Sequence, residues 1–266
     1  MIAPAELKAL IFDLDDTLVV EEASAEAAFL TTCELARTRY SIAPEHLHRS
    51  VREVCRQFWY ACPVRPYCVE VGISSWEALW ARFHGADENL RFLRDWAPTY
   101  RRQSWHGALR KLGIDDVDFA AELAETFPRH RRKLHVVYED TQPVLEHFRG
   151  RYRLGLLTNG APDLQREKIA GAGIGGSFDE IVISGDLGFG KPDPRIYETM
   201  LSRLDARPQE AIMIGNSLHT DVQGAQAVGM KAVWLNRAGE TRDDTIVPDL
   251  EVATLADLKG LLARPA

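Results

Sequence analysis

Five short apolar runs recur along the chain, and each ends in polar residues. The first covers residues 10–12, and the others cover 152–160, 180–184, 211–216 and 231–236. Short apolar runs of this kind are typical of strands buried on both faces of a parallel sheet. Stretches with helical spacing separate the later runs, at 143–148, 163–172, 194–204 and 221–228, and residues 249–262 predict an edge strand and a closing helix. Because parallel strands need crossover connections, the alternation predicts an α/β fold, a Rossmann-like three-layer core with a parallel sheet.

Between the first and second runs the spacing of apolar residues is helical, at 24–40, 43–61, 89–112 and 117–134. Two prolines in 62–72 predict a loop, and Ser74 with Glu77 predicts a capping box that opens another helix. Pro98 and Pro128 are expected to interrupt the helices in which they fall. The sequence therefore predicts an α/β core domain of residues 1–20 and 137–266 and an inserted all-helical domain of residues 21–136.

Composition narrows the class of protein. The 266 residues are 45% apolar and 27% charged, which is enough for two domains with their own cores. No apolar run approaches the ~18 residues that span a bilayer, and acids occupy the first 20 residues where a signal peptide carries basic charge. A cytoplasmic protein without a membrane partner is therefore expected. The net charge of -7 argues against binding to nucleic acid.

The cysteines allow a disulfide framework or a zinc site, but none of them belongs to a CxxC pair, which favours neither. They are expected to be buried or inert thiols: Cys33, Cys55, Cys62 and Cys68. The sequence carries no signal for an oligomeric state.

Polar side chains follow four of the predicted strands at their carboxyl ends. They are Asp13 and Asp15, then Thr158 and Asn159, then Lys191, and finally Asn216 and Asp221. Because these ends share one edge of a parallel sheet, we expect the side chains to meet in one crevice. Carboxylate and amide oxygens are ligands that Mg²⁺ prefers, whereas a hydroxyl, an amide and a lysine suit an anion.

The chain resembles the haloacid dehalogenase superfamily, in the phosphatase branch whose helical cap follows the first motif. The family's four motifs are resembled, in order, by DLDDT at 13–17, TNG at 158–160, GFGKPDP at 188–194 and IGNSLHTD at 214–221. The resemblance covers the whole predicted sheet domain. It implies a Mg²⁺-dependent phosphatase acting on a small phosphorylated metabolite, with residues 21–136 as the cap that selects the substrate.

The resemblance also implies a role for each of these residues. Asp13 would attack phosphorus and form an aspartyl-phosphate, and Asp15 would act as the general acid and base. The phosphate would be bound by Thr158, Asn159 and Lys191, and the metal by Asp13, the main-chain carbonyl of Asp15, Asn216 and Asp221.

This chain departs from the family's pattern at two positions. Asn216 stands where the family commonly has Asp, and a neutral amide predicts either weaker metal binding or direct ligation by Asp221. Asp16 stands where the family usually has Gly, and we interpret it as a turn residue.

An acid at position 15 disfavours the dehalogenases and the phosphonate-cleaving enzymes of the superfamily, which lack it. Two alternatives stay open. One is a phosphomutase, which shares the paired aspartates but shields the aspartyl-phosphate from water. The other is a binding or regulatory member in which Asn216 has weakened catalysis.

Overall fold

The computed structural model describes residues 7–241 and 245–262, and the chain divides into two compact units. The sheet unit takes the described residues of Met1–Val20, Val137–Asn159 and Ala172–Ala266, and the helical unit takes Glu21–Val136 and Gly160–Gly171. Residues 160–171 thus group with the helical unit, whereas the sequence placed them in the domain of residues 137–266. The apolar side chains of Ala161 and Leu164 explain the difference, because both lie in the core of the helical unit.

The sheet unit is built on six parallel strands. Their bounds are β1 Ala9–Phe12, β2 Arg153–Thr158, β3 Glu180–Ile183, β4 Ala211–Gly215, β5 Lys231–Leu235 and β6 Leu250–Val252. The order is β3-β2-β1-β4-β5-β6, and every ladder between neighbours is parallel. The predicted parallel α/β sheet is therefore confirmed, with β6 at an edge. Strand β1 pairs with β2 on one side and β4 on the other, so its carboxyl end lies between two neighbouring strand ends.

Eleven α-helices lie in the described part of the chain. They are α1 Glu21–Tyr40, α2 Pro44–Tyr60, α3 Arg65–Val71, α4 Glu88–Lys111, α5 Val117–Arg131, α6 Thr141–Phe148, α7 Pro162–Gly171, α8 Ser184–Leu187, α9 Pro194–Arg203, α10 Gly224–Ala227 and α11 Leu258–Leu261. The helix predicted at 221–228 begins earlier, as a π-helical segment at Leu218–Gln223 that continues into α10. Within residues 7–241 and 245–262, none of these helices has both the length and the apolar character needed to cross a bilayer.

The prediction of a loop at residues 62–72 was wrong, because α3 occupies most of that segment. Pro66 lies in the first turn of α3, where a missing N–H group removes no intrahelical hydrogen bond. Gly72 ends the helix in the left-handed conformation, with φ of 76°. The prolines that suggested a loop therefore mark the start of a helix.

The capping box at Ser74 forms as predicted, but the helix that it opens is short. The Glu77 Oε2 atom accepts hydrogen bonds from the Ser74 N–H (3.1 Å) and hydroxyl (2.8 Å), and the Glu77 N–H donates to Ser74 Oγ (3.3 Å). The following segment is a 3-10 turn at Glu77–Leu79. A local cap thus fixes where a helix starts and leaves its length to packing.

The prediction that Pro98 and Pro128 interrupt their helices was also wrong. Helix α4 continues past Pro98, and helix α5 continues past Pro128. A proline inside a helix is unfavourable by ~3 kcal/mol. Side chains of α4 on both sides of Pro98 are buried, among them Leu93 and Trp105. Each such burial contributes ~1.5–3 kcal/mol, so packing outweighs the local penalty.

The helical unit has an aromatic core. Phe29 stacks on Phe127 with ring centroids 4.2 Å apart, and Trp80 and Trp105 are fully buried. All four cysteines are buried thiols in this core, as expected, and none forms a disulfide.

Pro98 is exposed inside α4. The hydrogen bond that it cannot donate lowers the stability of the helix, and burial of its ring does not offset that loss. Alanine is more favourable than proline in a helix interior by ~3 kcal/mol, and the greater freedom of the unfolded chain offsets only ~1 kcal/mol of that. We expect Pro98→Ala to raise the free energy of unfolding by ~2 kcal/mol, measured by urea denaturation with tryptophan fluorescence.

Pro66→Ala is the matched control, because Pro66 is also exposed but lies in the first turn of α3. No gain is expected there. An unchanged or lower stability of Pro98→Ala would show that the proline does not strain α4.

Candidate active site

The acidic loop begins where β1 ends. The Asp13 N–H donates to the Ile214 carbonyl of β4 at 2.9 Å, which keeps the acid at the carboxyl end of the central strand. Asp16 has a φ of 55°, and its N–H donates to the Val19 carbonyl at 2.8 Å. Aspartate tolerates the left-handed conformation better than most residues. Asp16 is therefore the turn residue of this loop, as the sequence predicted.

The Lys191 side chain lies between two buried carboxylates. Its Nζ atom is 2.6 Å from Asp13 Oδ1 and 2.6 Å from Asp221 Oδ1, and no side chain of the three is more than 10% exposed. Burial raises the pKa of Asp13, Lys191 opposes the rise, and the charges of Asp221 and Asp15 add to it, giving about 7. Burial lowers the pKa of Lys191, but Asp13 and Asp221 outweigh it and hold the pKa above its ordinary value. The ammonium therefore stays charged and holds the two carboxylates together.

The second motif holds the main chain of Lys191. The Asn159 amide nitrogen donates to the Lys191 carbonyl, and the Lys191 N–H donates to Asn159 Oδ1, both at 2.8 Å. Thr158 is buried at the end of β2, and its hydroxyl donates to the Asn159 carbonyl at 3.4 Å. Asn159 thus sets the position from which the Lys191 side chain reaches the carboxylates.

The fourth motif holds Asp221 and Asn216 in different environments. Asp221 is buried, and its Oδ2 atom accepts a hydrogen bond from the Ser217 N–H at 2.9 Å. Gly215 leaves the room for it, because a Cβ atom at that position would lie 2.2 Å from Asp221 Oδ2. Asn216 is exposed, its N–H donates to Thr17 Oγ1 (3.2 Å), and the Thr17 hydroxyl donates to Asn216 Oδ1 (3.4 Å).

The structure brings some of the predicted site residues into direct contact and links others through intermediates. The Lys191 side chain contacts those of both Asp13 and Asp221, whereas Asn159 acts on the Lys191 main chain and Asn216 contacts Thr17. Asp15 is half-buried, and its charge adds to the rise in the pKa of Asp13.

Sequence reasoning gave no role to three residues that shape this site. They are Thr17 and Ser217, described above, and Trp234, whose Nε1–H donates to the Asn216 carbonyl at 2.9 Å. Thr17 and Ser217 lie inside the motifs at 13–17 and 214–221, where a hydroxyl side chain indicates a possible part of the site. Trp234 lies in β5 and has no such signal, because an aromatic residue in a buried strand is ordinary core.

The donor set fits a hard divalent cation. Asp13, Asp221 and Asn216 supply carboxylate and amide oxygens, and the single positive charge of Lys191 balances only one of the two buried negative charges. Among the described residues, no group of three or more His, Cys, Asp or Glu side chains is arranged to bind a metal. A metal here would therefore take part of its coordination from the Asn216 amide and from main-chain oxygens.

Comparison with known proteins agrees with this geometry. The family model of the haloacid dehalogenase-like hydrolases matches residues 7–229. The chain is 37% identical over 253 residues to the phosphoserine phosphatase of Thermus thermophilus, covering 95% of this chain and 98% of that protein. It is 28% identical over 262 residues to the N-acylneuraminate-9-phosphatase of Mus musculus, covering 97% and 94%. The crystal structure of YfnB from Bacillus subtilis bound to magnesium shares the fold, with a TM-score of 0.68, 19% identity, and 97% and 100% of the chains covered.

Gly215→Ala tests whether the glycine is needed to seat Asp221. The added Cβ would lie 2.3 Å from the carboxyl carbon of a side chain that is held on both oxygens, so either the carboxylate or β4 must shift. We expect a loss of about 1–3 kcal/mol in the free energy of unfolding, measured by urea denaturation.

Gly176→Ala is the control, because a Cβ atom at Gly176 meets no heavy atom within 4 Å. It should leave stability nearly unchanged. Equal stability of the two variants would mean that Asp221 does not need the space at position 215.

Proposed function

The chain belongs to the haloacid dehalogenase-like hydrolases, and we propose that it is a magnesium-dependent phosphatase that hydrolyses a small phosphomonoester through an aspartyl-phosphate on Asp13. The observation that carries the proposal is the contact of Lys191 with both Asp13 and Asp221 at the carboxyl edge of the sheet. Two relatives that align over at least 95% of the chain are phosphatases, which supports phosphate ester hydrolysis. Their named substrates differ in size and charge, so they support a class, small phosphorylated metabolites, rather than one compound.

Asp13 acts as the nucleophile in this mechanism. Its carboxylate attacks phosphorus, the bond from phosphorus to the ester oxygen breaks, and an aspartyl-phosphate forms. Lys191 favours the ionised form of Asp13 against the effect of burial, because its ammonium lies 2.6 Å from the carboxylate. The same ammonium offsets negative charge on the phosphoryl group during transfer.

Asp15 acts as the general acid and then as the general base. It gives a proton to the departing alkoxide, and it then removes a proton from the water that attacks the aspartyl-phosphate. Hydrolysis releases inorganic phosphate and restores the Asp13 carboxylate.

Mg²⁺ would be held by the carboxylates of Asp13 and Asp221, the amide oxygen of Asn216 and the main-chain carbonyl of Asp15. When bound, it supplies positive charge to the phosphoryl oxygens. When the phosphate is bound, the Thr158 hydroxyl at the end of β2 would turn from the Asn159 carbonyl and donate to the phosphate. Asn159 contributes indirectly, by fixing the main chain of Lys191.

Asp13→Asn tests the nucleophile, because an amide cannot form the acyl phosphate. We expect hydrolysis of p-nitrophenyl phosphate, followed as release of both p-nitrophenol and inorganic phosphate, to fall by at least ~10³-fold. Asp16→Asn is the matched control in the same loop, since asparagine also tolerates the left-handed φ of 55°. It should keep most of the activity.

Two outcomes would contradict the proposal. One is an Asp13→Asn variant that is as active as the wild type. The other is a wild-type protein that releases no phosphate at any Mg²⁺ concentration. Release of p-nitrophenol without an equal release of inorganic phosphate would instead favour a phosphomutase, in which the phosphoryl group stays on Asp13 until another hydroxyl accepts it.

Asn216→Asp tests whether residue 216 is a direct metal ligand. A carboxylate binds Mg²⁺ more strongly than a neutral amide does, so the Mg²⁺ concentration for half-maximal activity should fall several-fold. The measurement is a Mg²⁺ titration of p-nitrophenyl phosphate hydrolysis. An unchanged titration would assign direct ligation to Asp221 rather than to residue 216.

A further inference from the structure

The acidic loop is held from outside the catalytic motifs by its main-chain carbonyls. Arg237 Nη2 donates to the Thr17 carbonyl at 3.2 Å. The Leu18 carbonyl accepts hydrogen bonds from the Tyr138 N–H (3.2 Å) and the Thr141 hydroxyl (2.8 Å). Of these three donors, Arg237 is the one that holds the carbonyl of Thr17, whose side chain contacts Asn216.

Arg237 is itself fixed by a bidentate ion pair. Its two terminal nitrogens lie 2.8 and 3.2 Å from the two Asp140 oxygens, and both side chains are 17% exposed. The guanidinium also lies over the Tyr138 ring, 3.8 Å from its centroid. Burial raises the pKa of Asp140, but the hydrogen bonds and charge of Arg237 outweigh it and lower the pKa overall. A charged, forked and stacked arginine has one preferred orientation, so it can hold the Thr17 carbonyl in one place.

Thr17 passes this constraint to Asn216. Its hydroxyl is buried and accepts the Asn216 N–H, which leaves the hydroxyl proton to donate to Asn216 Oδ1. A hydroxyl used in this way selects the oxygen of the amide over its nitrogen. That selection matters for an asparagine more than for an aspartate, because only one of the two amide heavy atoms can bind a cation, whereas both carboxylate oxygens can.

We propose that Arg237 is a positioning residue for the metal site: its pair with Asp140 fixes Thr17, and Thr17 presents the Asn216 oxygen to the cation. The inference rests on the proposed role of Asn216 in holding Mg²⁺. It adds Asp140, Arg237 and Thr17 to the residues on which that role depends, although neither charged residue lies in a catalytic motif.

A simpler role for the pair would be structural. Asp140 also accepts the Leu255 N–H at 2.8 Å, so the pair joins the segment after β6 to the rest of the sheet unit. Were this its whole role, loss of Arg237 would lower stability and leave the affinity for Mg²⁺ unchanged. Metal affinity therefore separates the two roles.

The test measures Mg²⁺ binding to the full-length protein by isothermal titration calorimetry in the absence of substrate. Arg237→Lys keeps the charge but loses the fork, and we expect a dissociation constant about tenfold higher, as is typical when a residue that orients a metal ligand is changed. Arg153→Lys is the matched control, because Arg153 pairs with Asp179 in the same unit and at 3.2 Å. Its dissociation constant should equal that of the wild type.

Two further variants test the route through Thr17 and Asn216. Thr17→Val should weaken Mg²⁺ binding, and adding Arg237→Lys to it should cause no further loss, because both act on the same ligand. Asn216→Asp should restore tight binding in the Arg237→Lys background, because a carboxylate needs no selection between its oxygens.

A lower melting temperature of Arg237→Lys with wild-type Mg²⁺ affinity would overturn the inference and leave the proposed function standing. Additive losses in the Thr17→Val background, or failure of Asn216→Asp to restore binding, would also overturn it. Absence of Mg²⁺ binding to the wild type would overturn both the inference and the magnesium dependence in the proposed function.

Discussion

The site depends on one buried ammonium group held between two buried carboxylates. Removing a charged group from water is unfavourable by several kcal/mol, and Lys191 Nζ, 2.6 Å from Asp13 and from Asp221, offsets that cost for both carboxylates. This contact lasts only if the main chain holds the three side chains in fixed positions. Three hydrogen bonds provide that rigidity. The Asp13 N–H donates to the Ile214 carbonyl, the Ser217 N–H donates to the Asp221 carboxylate, and the Asn159 side-chain amide donates to the Lys191 carbonyl.

The sheet topology explains why residues so far apart in sequence meet there. Strand β1 is central and parallel to both β2 and β4, so three loops leave the same edge of the sheet side by side. The first loop carries three acids, Asp13 among them, the second carries the asparagine that anchors Lys191, and the third carries Asp221. A register shift of one residue in any of these strands would turn its terminal polar side chain to the other face.

The sequence predicted the strands and the polar residues at their ends because both leave strong local signals. An uninterrupted apolar run that ends in Asp13 or Thr158 has few other physical explanations. Prediction from the sequence failed where the structure depends on packing between elements. Pro66 starts a helix and Pro98 lies within one, although both residues have the same intrinsic preference, because the apolar faces around them differ.

The grouping of 160–171 with the helical unit was missed for the same reason. The segment has an ordinary helical pattern, and only its contacts show which core it belongs to. The contacts between Arg237, Asp140 and Thr17 join residues 220 and 97 positions apart, and no local pattern in the sequence reports them.

Asparagine at position 216 fits the charge balance around Lys191. Asp15 and Asp221 already add to the rise in the pKa of Asp13, because like charges disfavour ionisation of a neighbouring carboxyl group. A fourth acid would add to that effect at Asp13, the proposed nucleophile, whereas an amide oxygen offers a ligand without a charge. A neutral amide attracts a cation less strongly than a carboxylate does, and only its oxygen can bind one. The orientation of the Asn216 amide therefore matters more than that of a carboxylate would. In the proposed metal site the Thr17 hydroxyl would provide that orientation, and the Thr17 carbonyl accepts a hydrogen bond from Arg237, which lies outside every motif.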